Sequence, residues 1–310
     1  MFEVKPCPEF SWSLSRHKAL MECPRKYAFE YYISHNGWLR DSNILAKDAY
    51  RFKKMTNLEI LFGSAVHDLI LSVIGNFLNT GFIPPEAELI QRLRSSLNSA
   101  FKDSKLRAGL WRERPNHFQM LHEIYYNGEL PQDKVDEIQK RLNVSMGNFL
   151  SSKTFTDVRV NKDMQFVEAE RFRFMFIDGV KIFIVMDFLY RDMNEGKWII
   201  VDWKTGKESF EDRHQLALYA LYLMRVLKVN SIDEIIIRNE YLITGTHKTY
   251  QLTAVDLKKV HELFGMSVIQ MQRYLEDISA NQPLNFNLFP KTKTTKKCDR
   301  CNYKELCEMY

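Results

Sequence analysis

Cysteine, glycine and proline are all scarce in this chain: 5, 12 and 9 of 310 residues. Cysteines so few and so unevenly spaced, with one left over from any pairing, exclude a disulfide scaffold. Low glycine and proline, beside 45% hydrophobic and 27% charged residues, exclude a fibrous or disordered chain. No uninterrupted apolar run approaches the roughly 18–20 residues of a membrane span. The longest, Leu216 to Met224, carries two tyrosines. The opening MFEVKPCPEF has no basic-then-apolar leader. No G-x-x-x-x-G-K-[ST] phosphate loop occurs either, so no helicase motor is expected within the sequence. The expectation is a globular chain in a reducing cytoplasm, without a membrane among its partners, and long enough for one large domain over 1–310.

What the chain does have is patterned charge. The formal net charge is +5. Between Gln91 and Arg114 seven basic residues face two acidic ones, and between Lys291 and Lys304 six face Asp299 alone. The remainder is therefore acidic. Solvated surfaces account for such runs, and so does a polyanion track leading to a metal site.

The first half reads as helical. Ser11 to Tyr32 begins with possible serine N-caps, and Leu58 to Leu78 forms a second helix carrying Gly63 and His67. After Pro84-Pro85, residues 85–150 read as a basic helical insertion interrupted near Pro115 and Pro131. The period then changes to alternation, which places an α/β core at 160–280. Glu168 to Ile177 sets Phe172, Phe174 and Phe176 on one face and Arg171 and Arg173 on the other. Asp178-Gly179 is a hairpin signal, Val180 to Tyr190 the returning strand, and Trp198 to Lys204 the next. A helix over Phe210 to Leu227, strands at Glu234 to Ile243 and Thr249 to Thr253, and a helix from Ala254 to Ser279 complete a mixed α/β core with helices outside.

Ile199-Ile200-Val201 is apolar on both faces and stops at Asp202-Trp203-Lys204. Alternation points Asp202 and Lys204 one way and Trp203 the other. Ile182 to Met186 likewise ends at Asp187. Two carboxylates at neighbouring strand ends form a hard-oxygen site suited to Mg²⁺ or Mn²⁺. Taken singly these residues suit an ordinary ion pair; taken together they suit an active site.

Asp187 followed by Asp202-x-Lys204-Thr-Gly resembles the PD-(D/E)xK nuclease core in its RecB/AddB-type branch. Gly63-Ser-Ala-Val-His67 is similar to that branch's G-x-x-x-H helix motif, and Gln215-Leu-Ala-Leu-Tyr219 to its Q-x-x-x-Y motif. The resemblance runs from Ser11 to Tyr310 and implies a restriction-endonuclease-like core. It also implies roles. Asp187, Asp202, His67 and the Trp203 carbonyl would hold the metal, and Lys204 would orient water and stabilise the transition state. Gln215 and Tyr219 would position the DNA backbone. The branch has a further acidic residue on the preceding strand, for which Glu168 and Glu170 share the right parity.

Cys298, Cys301 and Cys307 form C-x₂-C-x₅-C, three thiols that need a fourth from Cys7 or Cys23 to bind zinc or an iron–sulfur cluster. Cys23-Pro24-Arg25-Lys26-Tyr27 resembles the C-P-x-x-Y element of the iron–sulfur subset of the branch. The resemblance therefore implies a [4Fe–4S] cluster on Cys23, Cys298, Cys301 and Cys307, stapling the tail (291–310) to the 11–32 helix. A structural zinc is the alternative, and Cys7 is left over.

The functional expectation is a Mg²⁺- or Mn²⁺-dependent exonuclease acting on single-stranded DNA or DNA ends in repair, recombination or defence. A helicase or another protein is a possible additional partner. The alternative is a DNA-end-binding or scaffolding module that keeps the fold but cleaves little.

Overall fold

The strand-forming sequence beyond residue 160 builds a larger and a smaller sheet, where the alternation pattern implied continuous strands. The computed structural model describes residues 4–206 and 212–310. Its strands are β1 (Ser11–Trp12), β2 (Met164–Glu168), β3 (Arg173–Ile177), β4 (Val180–Ile184), β5 (Phe188–Asp192), β6 (Lys197–Lys204), β7 (Ile235–Tyr241) and β8 (Thr246–Gln251). The larger sheet has the order β2-β5-β6-β7-β8, with β6 and β7 parallel and the other neighbours antiparallel. The smaller has the order β1-β4-β3. A hairpin of β9 (Leu275–Asp277) and β10 (Gln282–Pro283) lies apart.

Two expected strands are thereby corrected. Glu168 to Ile177 divides into β2 and β3, and Val180 to Tyr190 into β4 and β5. The chain crosses between sheets at 169–172 and again at 185–187. The crossings are bonded to each other, the Glu170 N–H donating to the Met186 carbonyl at 2.8 Å. Glu170 takes a left-handed φ of 46°, which turns the chain out of β2. The Asp178-Gly179 turn does close the β3–β4 hairpin, both residues having positive φ as a two-residue type I′ turn requires.

The first expected helix is also broken. It becomes β1, then α1 (Leu14–Glu22) capped by the Ser13 hydroxyl, then α2 (Pro24–Ala28) and a π-helical turn at Phe29–Ile33. Pro24 disfavours helical backbone in the residue before it, so Cys23 is extended at the break, with φ −163°. Next come α3 (Ile44–Lys53) and α4 (Leu58–Thr80), which Asn57 caps and Gly81 ends. The segment 85–150 folds as α5 (Glu86–Leu106), α6 (Ala108–Glu113), α7 (His122–Asn127) and α8 (Gln132–Leu150), followed by α9 (Lys153–Val160). The second half adds α10 (Asp212–Arg225) and α11 (Ala254–Gln272). The expected start of α10 at Phe210 lies outside the described residues. The helix expected to reach Ser279 stops early, because β9 and β10 take the chain from Leu275. The tail forms α12 (Thr295–Cys298) and α13 (Lys304–Met309).

Strand alternation divides the core between the two faces of the larger sheet. From β6, Ile199, Val201 and Trp203 join α4, α5 and α8, while Ile200 joins α10 and α11. Residues 85–150 thus contribute Leu93, Leu142, Met146 and Phe149 to the same core as the sheet. The 23-residue helix α4 is, by length and composition, apolar enough to cross a membrane, an 18-residue stretch of it having a mean hydropathy of 1.6. Polar residues such as Ser64, His67 and Asp68 interrupt it, so it contains no long uninterrupted apolar run. In the fold, Phe62, Val66, Ile70 and Val73 of α4 are buried against the sheet and α8.

A third core gathers both chain ends: Phe29, Phe52, Met55, Trp111, Tyr303 and Leu306. Tyr303 stacks on Phe29 at 5.3 Å between centroids and is buried, its hydroxyl without a hydrogen-bond partner. Tyr303→Ala should cost about 3–5 kcal/mol, the range for deleting a buried aromatic ring. Tyr303→Phe should cost little, since no hydrogen bond is lost. Urea unfolding of both variants tests this, and equal losses would mean that the hydroxyl, not the ring, holds the tail.

Candidate active site

The site forms where β6 ends between α4 on one face of the sheet and α10 on the other. Asp202 is buried in the last turns of the strand pleat, and its Oδ2 lies 2.7 Å from Lys204 Nζ. Trp203 points into the opposite core, as alternation requires, and meets Phe149 edge-on at 5.6 Å. Asp187 immediately precedes β5, whose Phe188 pairs with Val201 of β6. Its Oδ2 accepts the Trp203 N–H at 2.8 Å, so the carboxylate is fixed to the backbone of the strand that carries Asp202 and Lys204.

His67 reaches the same point from α4. Its Nε2 is 3.0 Å from the Trp203 carbonyl, and its Nδ1 is 3.3 Å from Glu170 Oε1 and 3.6 Å from Asp187 Oδ2. One turn earlier on α4, Gly63 faces Thr205, whose Oγ1 would lie 3.2 Å from any Cβ placed there. A Cβ at Gly63 would thus press on the Thr205 side chain just after Lys204, one helical turn from where His67 enters the site.

The electrostatics reflect crowding. Burial, reinforced by the Asp202 charge, pushes the Asp187 carboxyl up to about 7, against the favourable influence of His67. Burial disfavours the charged His67 imidazole. The Glu170 hydrogen bond and the Asp187, Glu170 and Asp202 charges outweigh it and lift the group to about 9. The negative surroundings that hold a proton on His67 would equally draw a metal cation, whose binding to the imidazole would displace that proton.

On the α10 face, Gln215 Nε2 donates to the Tyr219 hydroxyl at 2.6 Å, the four-residue spacing placing both on one side of the helix. Burial raises the Tyr219 phenol well above its ordinary value, keeping it protonated.

The ligand atoms of His67, Glu170 and Asp187 all lie within 4.8 Å of one another. The structure therefore distinguishes the two glutamates that parity left open. Glu170 faces His67, whereas buried Glu168 accepts a 2.7 Å hydrogen bond from Arg173 Nε. The β2–β5 register shift between Phe166 and Glu168, followed by the left-handed turn at Glu170, breaks the parity on which the sequence reading relied. The tight trio contains Glu170 where sequence reasoning placed Asp202; Asp202 stands beside it, facing Lys204.

Where the chain ends meet, Cys23, Cys298, Cys301 and Cys307 line one cavity of ≈ 160 Å³ together with Lys26 and Lys291. Burial pushes the Cys301 thiol up to about 11 and raises that of Cys307 as well. Cys7 does not line the cavity and lies beside Tyr32.

A family model described as the PD-(D/E)XK nuclease superfamily matches residues 11–308. No curated protein matches the chain.

A divalent cation at the trio should stabilise the fold by mass action. Saturating Mn²⁺ should raise the melting temperature by a few degrees over the EDTA-treated protein. Glu170→Gln should shrink that rise. Glu168→Gln should retain it, even though losing its partner Arg173 lowers the starting value. An undiminished Mn²⁺ response in Glu170→Gln would remove this glutamate from the site.

Proposed function

Because the chain belongs to the PD-(D/E)XK nuclease superfamily, we propose that it is a metal-dependent deoxyribonuclease of the RecB/AddB-like branch, working as an exonuclease on single-stranded DNA or DNA ends. The observation that carries this reading is the coincidence, at one strand end, of the His67–Glu170–Asp187 trio with the Asp202–Lys204 pair. Two carboxylates, one imidazole and the nearby Trp203 carbonyl suit Mg²⁺ or Mn²⁺ by their hard donors, with Asp202 beside them. Held there, such an ion supplies Lewis acidity toward a phosphate oxygen and toward water.

The rest is done by the chain's own groups. Lys204, half-enclosed next to Asp202, offers a cationic donor to a water aligned for in-line attack and to the charge that grows on the phosphoryl oxygens. Asp187 keeps its orientation through the Trp203 N–H. Gln215 and protonated Tyr219 present polar hydrogens from the α10 side, where they hold the strand's backbone in register. The basic segments flanking the site in sequence favour a polyanion. Roles in repair, recombination or defence, and a helicase or other partner, belong to the same proposal.

A [4Fe–4S] cluster on Cys23, Cys298, Cys301 and Cys307 is the second part of the reading, supported by their shared cavity. A zinc ion with Zn–S bonds of about 2.3 Å would draw its thiolates to within about 4 Å of one another. The cluster is supported by the resemblance of Cys23-Pro24-Arg25-Lys26-Tyr27 and of the C-x₂-C-x₅-C tail to the iron–sulfur subset of the branch. Its role is structural, since hydrolysis transfers no electrons.

With Mg²⁺ or Mn²⁺ and end-labelled single- and double-stranded DNA, Lys204→Ala and Asp202→Ala should each lose a hundredfold or more in cleavage rate while still binding DNA. Gln215→Ala and Tyr219→Ala should lose less and keep metal affinity. Undiminished cleavage by the first two variants sinks the assignment. Protein purified without oxygen should be brown and carry about four irons per chain. Serine at 23, 298, 301 or 307 should remove the colour, and Cys7→Ser should not. One zinc per chain in colourless, active protein would replace the cluster and leave the nuclease reading intact.

A further inference from the structure

The β3–β4 hairpin turns its aromatic face to water. Phe172, just before β3, is 81% exposed, and Phe174 and Phe176 on the strand are 51% and 55% exposed, while Met175 and Ile177 on the strand's other face are buried. Cross-strand register sets Phe174 opposite Phe183 and Phe176 opposite Lys181. Lys181 Nζ stands 4.8 Å from the Phe174 ring centroid and 5.4 Å from that of Phe183, and also pairs with Glu9 Oε2 at 2.9 Å. Folding does not require this face to be apolar, because its side chains contribute little to the core.

The face runs into a groove of ≈ 520 Å³. Phe172, Phe183, Tyr31, Arg16 and Lys18 line it together with Gln215 and Tyr219. The Arg16 guanidinium lies 4.4 Å from the Tyr31 ring centroid. Aromatic rings and cations are therefore gathered together in and beside a groove that reaches Gln215 and Tyr219 of the candidate active site.

We propose that this hairpin face is a stacking platform for an unpaired nucleic-acid strand. The bases would lie on Phe172, Phe174 and Phe183, and the phosphates would pass Lys181, Arg16 and Lys18 on the way to Gln215 and Tyr219. The chemistry identifies the occupant. Exposed rings bind any base by its π-face, and cations follow the backbone. Bases inside a duplex are already stacked on each other and offer no such face, so the platform selects single strands. A protein interface fits less well, since interface cores are depleted of lysine and here cations interleave with the rings. The inference rests on the nuclease reading in that the track leads to that site.

The test is fluorescence anisotropy of the whole chain in EDTA with three labelled probes: dT20, a fully abasic strand of equal length, and a blunt duplex. The parent should bind dT20 tightest. Phe172→Ala and Phe174→Ala should each weaken dT20 binding about fivefold or more, leave the abasic strand unchanged, and recover with Trp in place of Ala. Equal losses on dT20 and the abasic strand, or no loss on either, overturn the platform. So does a variant that instead abolishes self-association in sedimentation, which would assign the face to protein contact. Cleavage is not read in this assay. A parent that binds as expected yet cuts nothing with added metal would overturn the nuclease reading and leave the platform standing.

Discussion

The hydrogen bond from the Trp203 N–H to Asp187 Oδ2 ties two buried carboxylates to one strand end, and the architecture around it follows from that cost. Buried charges of like sign are unfavourable by several kcal/mol unless positive partners and hydrogen bonds surround them. Asp202 and Asp187 are both buried here. The compensation comes from three directions: Lys204 on the same strand, His67 from α4 and the backbone itself. Each partner imposes a further condition. His67 can enter only if α4 lies close to the chain after β6, which Gly63 permits at Thr205. Lys204 can face Asp202 only if β6 runs regularly to its end, which its pairing with β7 out to Lys204 opposite Tyr241 enforces.

How much of this was legible in the sequence depends on whether a feature is local. The Asp202-x-Lys204 strand end, the helix bearing His67 and the Gln215–Tyr219 spacing each follow from periodicity within a few residues, and the structure shows that geometry. The sheet crossings do not. A strand that continues and one that moves to another sheet show the same alternation, so Val180 to Tyr190 read as a single element. Parity for Glu168 and Glu170 failed for the same reason, since a bulge and one left-handed residue reset the faces. Alternation also sorted Phe172, Phe174 and Phe176 from their neighbours without saying which face meets water.

The chain ends illustrate a long-range constraint of another kind. Tyr303 and Leu306 pack with Phe29 and Phe52, Asn302 donates to the Met55 carbonyl at 2.7 Å, and Arg25 Nε donates to the Phe289 carbonyl at 2.7 Å. The tail is thus held by ordinary packing and hydrogen bonds. This gives the cavity a defined wall before any metal arrives. Preorganisation of that sort lowers the ordering cost that metal binding would otherwise bear. The break at Cys23 contributes as well, since Pro24 forces an extended residue where a continuous helix would have fixed its side chain along the helix surface.

The crossings between sheets explain why the catalytic candidates and the aromatic hairpin belong together. Glu170 and Asp187 flank the excursion into β3 and β4, and the Glu170-to-Met186 hydrogen bond closes it at its base. Everything between is a loop of sheet that leaves the larger sheet at one carboxylate and returns at the other. Its inner face, Met175, Ile177, Ile182 and Ile184, is buried in the core shared with α10, which fixes the hairpin's orientation. The outer face must then carry Phe172, Phe174 and Phe176 toward solvent beside the groove. Moving the hairpin by one residue would exchange its faces and would also displace Glu170 and Asp187 from His67. The geometry that assembles the trio therefore also determines where the exposed rings stand.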